Sequence, residues 1–501
     1  MNYCQTFKDK KITIMGLGIL GRGVGVAKFL AECGAKLTVT DLKTKEQLRS
    51  SLAQLAKYKN IKYFLGGHRL ADFQNKPPHS KCCKRKLKNK WHFEYGGKDM
   101  IIKAAGVPLD SPYIKEAKKN KIPVEMDASL FAKLSPAKII GITGTRGKST
   151  VTHLIYNALR GAGAKVFLSG NVKAVATLSL LKKIQSKLWC KDRPCTVVQG
   201  RSLHKQKETM VVMELDSWQL QGFGDSKISP HIAVFTNFMP DHLNYYRGSM
   251  KLYFKDKANI FKYQNENDFL IVGEQAAEAI KKFFKGKINP HTKIFGVGIK
   301  SKLIIARAGD IPENWKIKIP GRHNLENIAL AMAALKTLGI EEKQIKNAVE
   351  SFNGLPGRME FVREIKGIKY YNDTNGTTPD AVIAGLEAMK KFKGKIILIG
   401  GGADKGLDYK KYAETVKNYV KALILFKGAA SDKIAAAVGK NSKLDIVAGV
   451  ANMKDAVRFA TEKAGKGDII ILSPGAASFG IFQNEFDRGN QFIRILKSSK
   501  T

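Results

Sequence analysis

The segment at residues 141–150, which reads Gly-Ile-Thr-Gly-Thr-Arg-Gly-Lys-Ser-Thr, constrains the fold of this 501-residue chain more than any other feature. It follows an apolar run at residues 138–142 and precedes a helical pattern, so we predict a strand, a tight loop and a helix. Backbone N–H groups of such a loop bind phosphate oxygens, while Lys148 reaches the β- and γ-phosphates and Ser149 binds Mg²⁺. The spacing is a variant of the common P-loop, because Ile142 stands where that motif has glycine. The segment therefore predicts an ATP-type phosphate site.

A second glycine-rich loop lies near the start of the sequence. Gly16, Gly18 and Gly21 follow an apolar run at residues 11–15, and Asp41 follows the next predicted strand. Glycines allow the backbone to approach a diphosphate at a helix N-terminus, and the acid can accept a hydrogen bond from a ribose or a base. The pattern indicates a nucleotide diphosphate but does not separate a nicotinamide dinucleotide from a UDP-sugar. A plain strand-to-helix turn remains an alternative.

Short β-branched runs alternate with helical patterns along the whole chain, which is typical of an α/β fold with mostly parallel sheets. We predict three domains: a Rossmann-like domain over residues 1–125, a central P-loop ATPase-type domain over 126–354, and a Rossmann-like C-terminal domain over 355–501. The Gly-Leu-Pro-Gly run at 354–357 is expected to be a hinge or linker. The predicted strands are residues 11–15, 37–40, 100–103, 138–142, 211–215, 232–236, 269–272, 395–399, 422–426 and 468–472.

The charge balance is strongly positive, with 86 Lys and Arg residues against 43 Asp and Glu residues. Two basic segments, residues 76–95 and 181–210, interrupt the βα pattern and are expected to be surface insertions. Most of the excess charge is spread over the rest of the chain, which favours general basicity over a nucleic-acid surface. No apolar run is long enough for a membrane span, no signal peptide is evident, and six cysteines are too few for a disulfide scaffold. We therefore expect a cytoplasmic protein.

Acidic residues and a histidine follow two predicted strands of the central region. Glu214 ends one strand, and Asp241 and His242 follow the next. Ligands of α/β sheets bind at the carboxyl ends of the strands, and hard oxygen ligands suit Mg²⁺. His242 by itself fits a hydrogen-bonding loop histidine as well as a metal ligand.

The chain resembles the Mur ligases, the ATP-dependent enzymes that build the peptide stem of peptidoglycan. The resemblance covers nearly the whole chain apart from the two basic segments. It rests on the phosphate loop and on Gly170-Asn171, Glu-Leu-Asp-Ser-Trp-Gln-Leu at 214–220, Asp-His-Leu at 241–243, Gly-Arg-His-Asn-Leu-Glu-Asn at 321–327, Gly-Leu-Pro-Gly-Arg at 354–358 and Asn372-Asp373.

Within that family the C-terminal part is most similar to the members that add D-glutamate to UDP-N-acetylmuramoyl-L-alanine. The similarity lies in Leu-Ser-Pro-Gly-Ala-Ala-Ser at 472–478, followed by Phe482, Asn484 and Arg488-Gly489. The Asp-Asn-Pro-Arg motif of the diaminopimelate- or lysine-adding members is absent. The resemblance implies ligation through an acyl phosphate, with ATP and two Mg²⁺ ions as cofactors. We expect a monomer without a membrane span, and we do not expect nucleic acid as a partner.

The resemblance also implies roles for individual residues. Lys148, Glu214, His242 and Lys257 would be catalytic, with Ser149 and Glu214 at one Mg²⁺ and His242 at the second. Lys257 matches a lysine that such enzymes carbamylate to make an anionic ligand. The nucleotide would contact Gly144, Thr145, Gly147, Lys148, Ser149, Thr150, Asn324, Asn327, Arg358 and Asp373. The uridine diphosphate would lie over Gly18, Ile19, Leu20, Asp41 and Gly106, the muramoyl group would contact Asn171, and Thr377, Lys405 and Ser478 would bind the carboxylates of D-glutamate.

Some residues depart from the family pattern. Arg146 stands where the phosphate loop usually has Asn, and Asp216 replaces a usual Ser, which is expected to place a negative charge near the substrate carboxylate. Glu485 occupies the position of a Phe near D-glutamate. These departures concern the added amino acid more than the ATP chemistry.

Four alternatives remain open at this point. The same fold could serve another acceptor, as in the L-alanine-adding or folylpolyglutamate-type ligases, or an ATP- or nucleic-acid-binding paralogue without catalysis. A nicotinamide oxidoreductase would explain the first loop but not the second. Zinc ligands could come from His79, Cys82, Cys83 and His92, or from Cys190, Cys195 and His204, although neither spacing matches a common zinc finger.

Overall fold

The computed structural model describes residues 3–19, 21–74, 98–108, 110–172, 177–188, 208–284, 299–319, 321–439 and 444–498. The basic segment 76–95, most of 181–210, Leu20 and all the zinc candidates lie outside this part of the chain. The chain divides into two compact units. The first holds Met1–Arg307 and Leu330–Ile345, and the second holds Ala308–Ala329 and Lys346–Thr501.

The first unit begins with a five-stranded sheet in the order β3-β2-β1-β4-β5, in which every pairing is parallel. Helices cover the sheet, so a central strand such as β1 is buried on both faces, with Ile14 on one face and Met15 on the other. The strands are β1 Lys11–Met15, β2 Lys36–Asp41, β3 Ile61–Leu65, β4 Met100–Lys103 and β5 Val124–Glu125. The helices are α1 Tyr3–Phe7, α2 Arg22–Glu32, α3 Arg49–Ala53, α4 Pro112–Lys119 and α5 Asp127–Leu134.

A second, six-stranded parallel sheet in the same unit has the order β11-β10-β9-β6-β8-β7. Strand β6 lies between β8 and β9, so the loops after these three strands meet at one edge of the sheet. The strands are β6 Lys138–Thr143, β7 Val166–Gly170, β8 Met210–Glu214, β9 Ile232–Phe235, β10 Phe269–Gly273 and β11 Lys302–Ala306. The helices are α6 Lys148–Gly161, α7 Ser179–Leu188, α8 Ser217–Ser226, α9 Met250–Ala258 and α10 Glu274–Phe284.

The second unit contains a mixed sheet in the order β12-β13-β17-β14-β15-β16, in which only β12 and β13 pair antiparallel. Helices α11 Arg322–Thr337 and α12 Glu342–Ser351 precede this sheet in the chain. The strands are β12 Glu360–Ile365, β13 Ile368–Asn372, β14 Ile396–Gly401, β15 Val420–Phe426, β16 Asp445–Val450 and β17 Ile469–Leu472. The remaining helices are α13 Pro379–Ala388, α14 Lys410–Tyr419, α15 Ala429–Val438, α16 Met453–Lys463 and α17 Glu485–Ser498.

The α/β fold class is confirmed, with parallel sheets in the N-terminal and central regions and a mixed C-terminal sheet. All ten predicted strands coincide with observed strands, and their ends differ by at most two residues. The boundaries predicted for the three domains stay a prediction. No helix among the described residues is long and apolar enough to cross a membrane.

A disulfide joins Cys4 of α1 to Cys33, the residue after α2, across a Cα–Cα distance of 4.3 Å. Counting cysteines could not reveal this pair, because 29 residues separate the two in sequence and only the packing of α1 against α2 brings them together.

Candidate active site

The loop between β6 and α6 needs glycine at two positions. Gly144 has a φ of 143°, and a Cβ built there would lie 1.9 Å from Oγ1 of Thr236. Gly147 has a φ of 82° and caps the N-terminus of α6. Side chains are therefore excluded from the inner face of the loop, and the first turn of the 14-residue helix points its N–H groups towards the loop.

The segment that follows β9 holds this loop in place through hydrogen bonds. The N–H of Thr145 donates to the carbonyl of Asn237 at 2.9 Å, and the N–H of Arg146 donates to the side-chain oxygen of the same asparagine at 2.8 Å. The hydroxyl of Thr145 accepts from the N–H of Met239 at 2.9 Å. These contacts fix the backbone that a phosphate group would meet.

Lys148 begins α6 and folds back across the loop. Its Nζ donates to the carbonyl oxygens of Gly144 and Thr145 at 3.0 and 3.1 Å. Ser149 and Thr150 follow it in the first helical turn. The lysine is thus anchored where the sequence predicts the phosphates.

Lys257 reaches the same loop from α9. Its side chain is 1% exposed, and its Nζ donates to the carbonyl of Gly144 at 2.7 Å. Burial lowers the pKa of this amine well below its usual value, and the charge of Lys148 lowers it further. A lowered pKa favours the neutral amine, which is the nucleophilic form of lysine. The residues alone gave no signal for Lys257, because spacing does not report burial.

Glu214 ends β8 and is 5% exposed. Asn171, just after β7, donates its backbone N–H to the carbonyl of Glu214 at 2.7 Å and its side-chain amide to Oε1 at 3.4 Å. Arg22 of α2 donates to the side-chain oxygen of Asn171. The structure therefore brings the predicted metal ligand and the predicted muramoyl contact together.

His242 follows β9 in a left-handed conformation, with a φ of 52°. Its Nε2 lies 3.7 Å from Oδ2 of Asp241, and its ring lies 4.6 Å from the ring of Trp218. Arg146 also forms an ion pair with Asp241, at 3.6 Å. The arginine that departs from the family pattern thus helps to hold the acid next to His242.

Asp216 has a structural role that its position in the motif did not predict. Its carboxylate accepts from the N–H of Gln219 at 2.8 Å, and the side chain of Gln219 accepts from the N–H of Asp216 at 3.2 Å. This reciprocal arrangement is a capping box at the N-terminus of α8.

In the N-terminal sheet, Gly16, Gly18 and Gly21 all have positive φ angles. Asp41 closes this loop, because its Oδ2 accepts from the N–H groups of Leu17 and Gly18 at 2.8 and 2.9 Å. The expected acceptor for a ribose or base therefore also holds the loop in shape. The other uridine candidates within the described residues are Ile19, whose side chain is 57% exposed, and Gly106, which lies in a loop with a φ of 83°.

In the second unit, Asp373 follows β13 and is nearly buried. Its carboxylate accepts from the hydroxyl of Ser473 at 2.6 Å and from the N–H of Met359 at 3.2 Å. Burial raises the pKa of Asp373 to about 6, although the charges of Arg358 and Arg488 oppose the shift. Arg358, the expected nucleotide contact, therefore lies within electrostatic reach of Asp373.

The other candidates of the second unit form two pairs and a separate serine. The amine of Lys405 donates to the hydroxyl of Thr377 at 3.1 Å. Asn324 and Asn327 of α11 lie together, with their amide groups 3.5 Å apart. Ser478 is 5% exposed and lies in the loop after β17. Among the residues that the structure describes, no three His, Cys, Asp or Glu side chains cluster as a ready-made metal site.

A phosphate loop with two lysines and a buried carboxylate on a parallel sheet is typical of a protein that binds a nucleoside triphosphate. Two family models match the chain, the Mur ligase middle domain over residues 142–335 and the glutamate ligase domain of Mur ligases over residues 357–475. The chain belongs to the Mur ligase family.

Curated relatives match over nearly their full length. The UDP-N-acetylmuramoylalanine–D-glutamate ligase of Roseiflexus sp. (strain RS-1) is 34% identical, and the match covers 98% of each chain. The enzyme of the same name from Acetivibrio thermocellus is 32% identical, over 99% of this chain and 98% of the relative. The resemblance found in the sequence is confirmed.

Solved structures share the fold at lower identity. The UDP-N-acetylmuramate-alanine ligase of Thermotoga maritima has a TM-score of 0.57 at 18% identity and covers 98% of this chain and 100% of its own. The folylpolyglutamate synthase of Mycobacterium tuberculosis, in complex with ADP and AMPPCP, has a TM-score of 0.52 at 13% identity, over 74% of this chain and 93% of its own.

Proposed function

We propose that this ligase joins D-glutamate to UDP-N-acetylmuramoyl-L-alanine and converts ATP to ADP and phosphate, as a step of peptidoglycan precursor synthesis. The observation that carries the proposal is the convergence of Lys148 and Lys257 on the carbonyl of Gly144, inside a phosphate loop. The full-length relatives named as D-glutamate ligases support the choice of substrates.

The chemistry needs ATP because a carboxylate is a poor acyl donor. In the first half-reaction, a carboxylate oxygen of the UDP-linked substrate attacks the γ-phosphorus of ATP, and the bond to the β–γ bridging oxygen breaks. The products are an acyl phosphate and ADP. In the second, the amine of D-glutamate attacks the acyl carbon and loses a proton, and the tetrahedral intermediate expels inorganic phosphate.

The first half-reaction brings two anions together, so cations must offset their repulsion. Lys148 would leave the carbonyls of Gly144 and Thr145 and bind the β- and γ-phosphates, and Arg358 would add a second positive charge. The remaining contacts to the nucleotide would come from Gly147, Ser149, Thr150, Asn324, Asn327 and Asp373.

The polar groups at this edge of the sheet suit magnesium. The Ser149 hydroxyl and the buried Glu214 carboxylate would hold one ion, and His242 and a carbamylated Lys257 would hold the second. When bound, Mg²⁺ supplies positive charge at the transferring phosphoryl group. The neutral amine of Lys257 adds to carbon dioxide, forms an N–C bond and releases a proton, which leaves an anionic carbamate.

The two organic substrates would occupy different parts of the chain. Gly18, Ile19, Leu20, Asp41 and Gly106 would bind the uridine diphosphate, with Asn171 at the muramoyl group. Thr377, Lys405 and Ser478 would bind the carboxylates of D-glutamate, and the hydrogen bond between Lys405 and Thr377 supports a shared site. We infer that the protein works in the cytoplasm as a monomer, without nucleic acid.

The test is the release of phosphate from ATP, measured with each substrate omitted in turn and with a panel of amino acids. We expect turnover only when UDP-N-acetylmuramoyl-L-alanine and D-glutamate are both present. Turnover with L-alanine on the substrate that lacks the alanyl residue would instead assign the chain to the alternative acceptor. ATP hydrolysis at the same rate with and without the UDP-linked substrate would refute the proposal.

A further inference from the structure

Helix α17 buries a positive charge in the second unit. Arg488 is 0% exposed, and its guanidinium donates to three neutral oxygens. Nη2 lies 2.9 Å from the carbonyl of Thr374, Nε lies 3.2 Å from the hydroxyl of Thr374, and Nη1 lies 3.5 Å from the carbonyl of Ala476.

These acceptors belong to two different loops. The loop at residues 373–378 follows β13, and the loop at residues 473–478 follows β17. Because β13 and β17 are parallel neighbours, both loops leave the same edge of the sheet. Gly475 donates its N–H to the carbonyl of Gly376 at 2.7 Å, so the loops also contact each other directly. Arg488 joins them from a third element.

The same two loops carry the acceptor site of the proposed function. Thr377 lies in the first loop, where Lys405 donates to its hydroxyl, and Ser478 ends the second loop. The hydroxyl of Thr374 also donates to the carbonyl of Glu485 at 2.8 Å, which ties the first loop to the start of α17. A small rotation of either loop would therefore move a carboxylate-binding group.

We propose that Arg488 is a positioning residue for the acceptor amino acid, holding the loops of Thr377 and Ser478 in register through its three hydrogen bonds. The proposal rests on the proposed function, because it assumes that these loops bind D-glutamate. Burying a guanidinium costs more free energy than burying an apolar side chain of similar size. Core packing alone would therefore be served as well by methionine, whereas a fork of donors spanning two loops requires arginine.

The test compares steady-state kinetics of Arg488→Met and Arg488→Lys with the wild type. In Arg488→Met, we expect the KM for D-glutamate to rise at least about tenfold, while the KM values for ATP and the UDP-linked substrate change less than about twofold. Arg488→Lys retains the positive charge but loses the forked arrangement of donors. Its KM for D-glutamate should lie between those of the wild type and Arg488→Met. If the KM for D-glutamate is unchanged in Arg488→Met, or if all three KM values rise together, the positioning role is refuted.

Arg363→Met is the matched control. Arg363 also donates to a carbonyl of α17, that of Leu496 at 2.8 Å, but it lies on β12 and this hydrogen bond involves neither loop. Arg363→Met should leave the KM for D-glutamate unchanged. A rise equal to that of Arg488→Met would refute the proposal.

If Arg488→Met does not fold, Thr374→Val and Thr374→Ser take its place. The valine removes the hydroxyl that accepts from Nε and should raise the KM for D-glutamate, whereas the serine keeps the hydroxyl and should restore the wild-type value. Equal kinetics in the two variants would contradict the proposal. A wild type without D-glutamate-dependent turnover would refute the proposed function itself, and the positioning role with it.

Discussion

The amine of Lys257 lies 2.7 Å from the carbonyl oxygen of Gly144, a residue 113 positions away in the sequence. The amine of Lys148 lies 3.0 Å from the same oxygen. Burial lowers the pKa of Lys257, and the charge of Lys148 at the same acceptor lowers it further. The lowered pKa favours the neutral amine of Lys257, which is the form that the proposed carbamylation requires.

Lys257 should carry a carbamate. We expect a carbamate carbon resonance when the protein is equilibrated with carbon-13-labelled bicarbonate, because burial lowers the pKa of Lys257 and so favours the neutral amine. The resonance should be absent from Lys257→Arg and present in Lys262→Arg, a control at an exposed position of the same unit. An identical resonance in the wild type and in Lys257→Arg would contradict the assignment.

Lys148→Ala should lower ligation at least about a hundredfold, because it removes a cation from the γ-phosphate where two anions meet. The measurement is the rate of ADP formation with both substrates at saturation, and Lys262→Ala provides the control. Peptide-bond formation at an undiminished rate would remove the basis of the proposed mechanism.

Gly144→Ala should reduce stability by about 2 kcal/mol or more, because its Cβ would meet Thr236 and its φ of 143° strains any side chain. Gly161→Ala is the matched control, since a Cβ at the end of α6 meets no atom within 4 Å. Thermal unfolding should separate the two variants. If they unfold at equal temperatures, the loop does not need glycine at position 144.

Asp373 should make nucleotide binding sensitive to pH. Its pKa of about 6 means that it gains a proton as the pH falls through that value and then no longer accepts as a carboxylate. We expect the KM for ATP to rise below about pH 6 in the wild type. In Asp373→Asn the KM should be high and independent of pH over the same range, and parallel profiles would refute the role of Asp373.

Asp216→Ala should destabilise the first unit by about 1 kcal/mol, because α8 loses its N-cap. Asp216→Ser keeps a capping oxygen and should unfold near the wild-type temperature. If the serine variant is as unstable as the alanine variant, capping is not the main role of Asp216. A large fall in the KM for the UDP-linked substrate in Asp216→Ser would instead favour the charge effect expected from the sequence.

The sequence by itself determined the α/β class, the phosphate loop and ten strands, each of which lies in the interior of a sheet between parallel neighbours. Within the described residues, the strands that the sequence did not predict are β13 and the six strands at the sheet edges, β3, β5, β7, β11, β12 and β16. A central parallel strand is buried on both faces and shows as an apolar run, whereas an edge strand such as β16 pairs on one side only and keeps exposed residues.

Only the tertiary structure decided how distant residues share one environment. The spacing of residues could not show that Lys257 is buried against Gly144, that Asp41 closes the loop of Gly18, or that Arg488 joins two loops. Local pattern reports the periodicity of an element, but burial and the loss of solvent that shifts a pKa depend on what packs against that element from elsewhere in the chain.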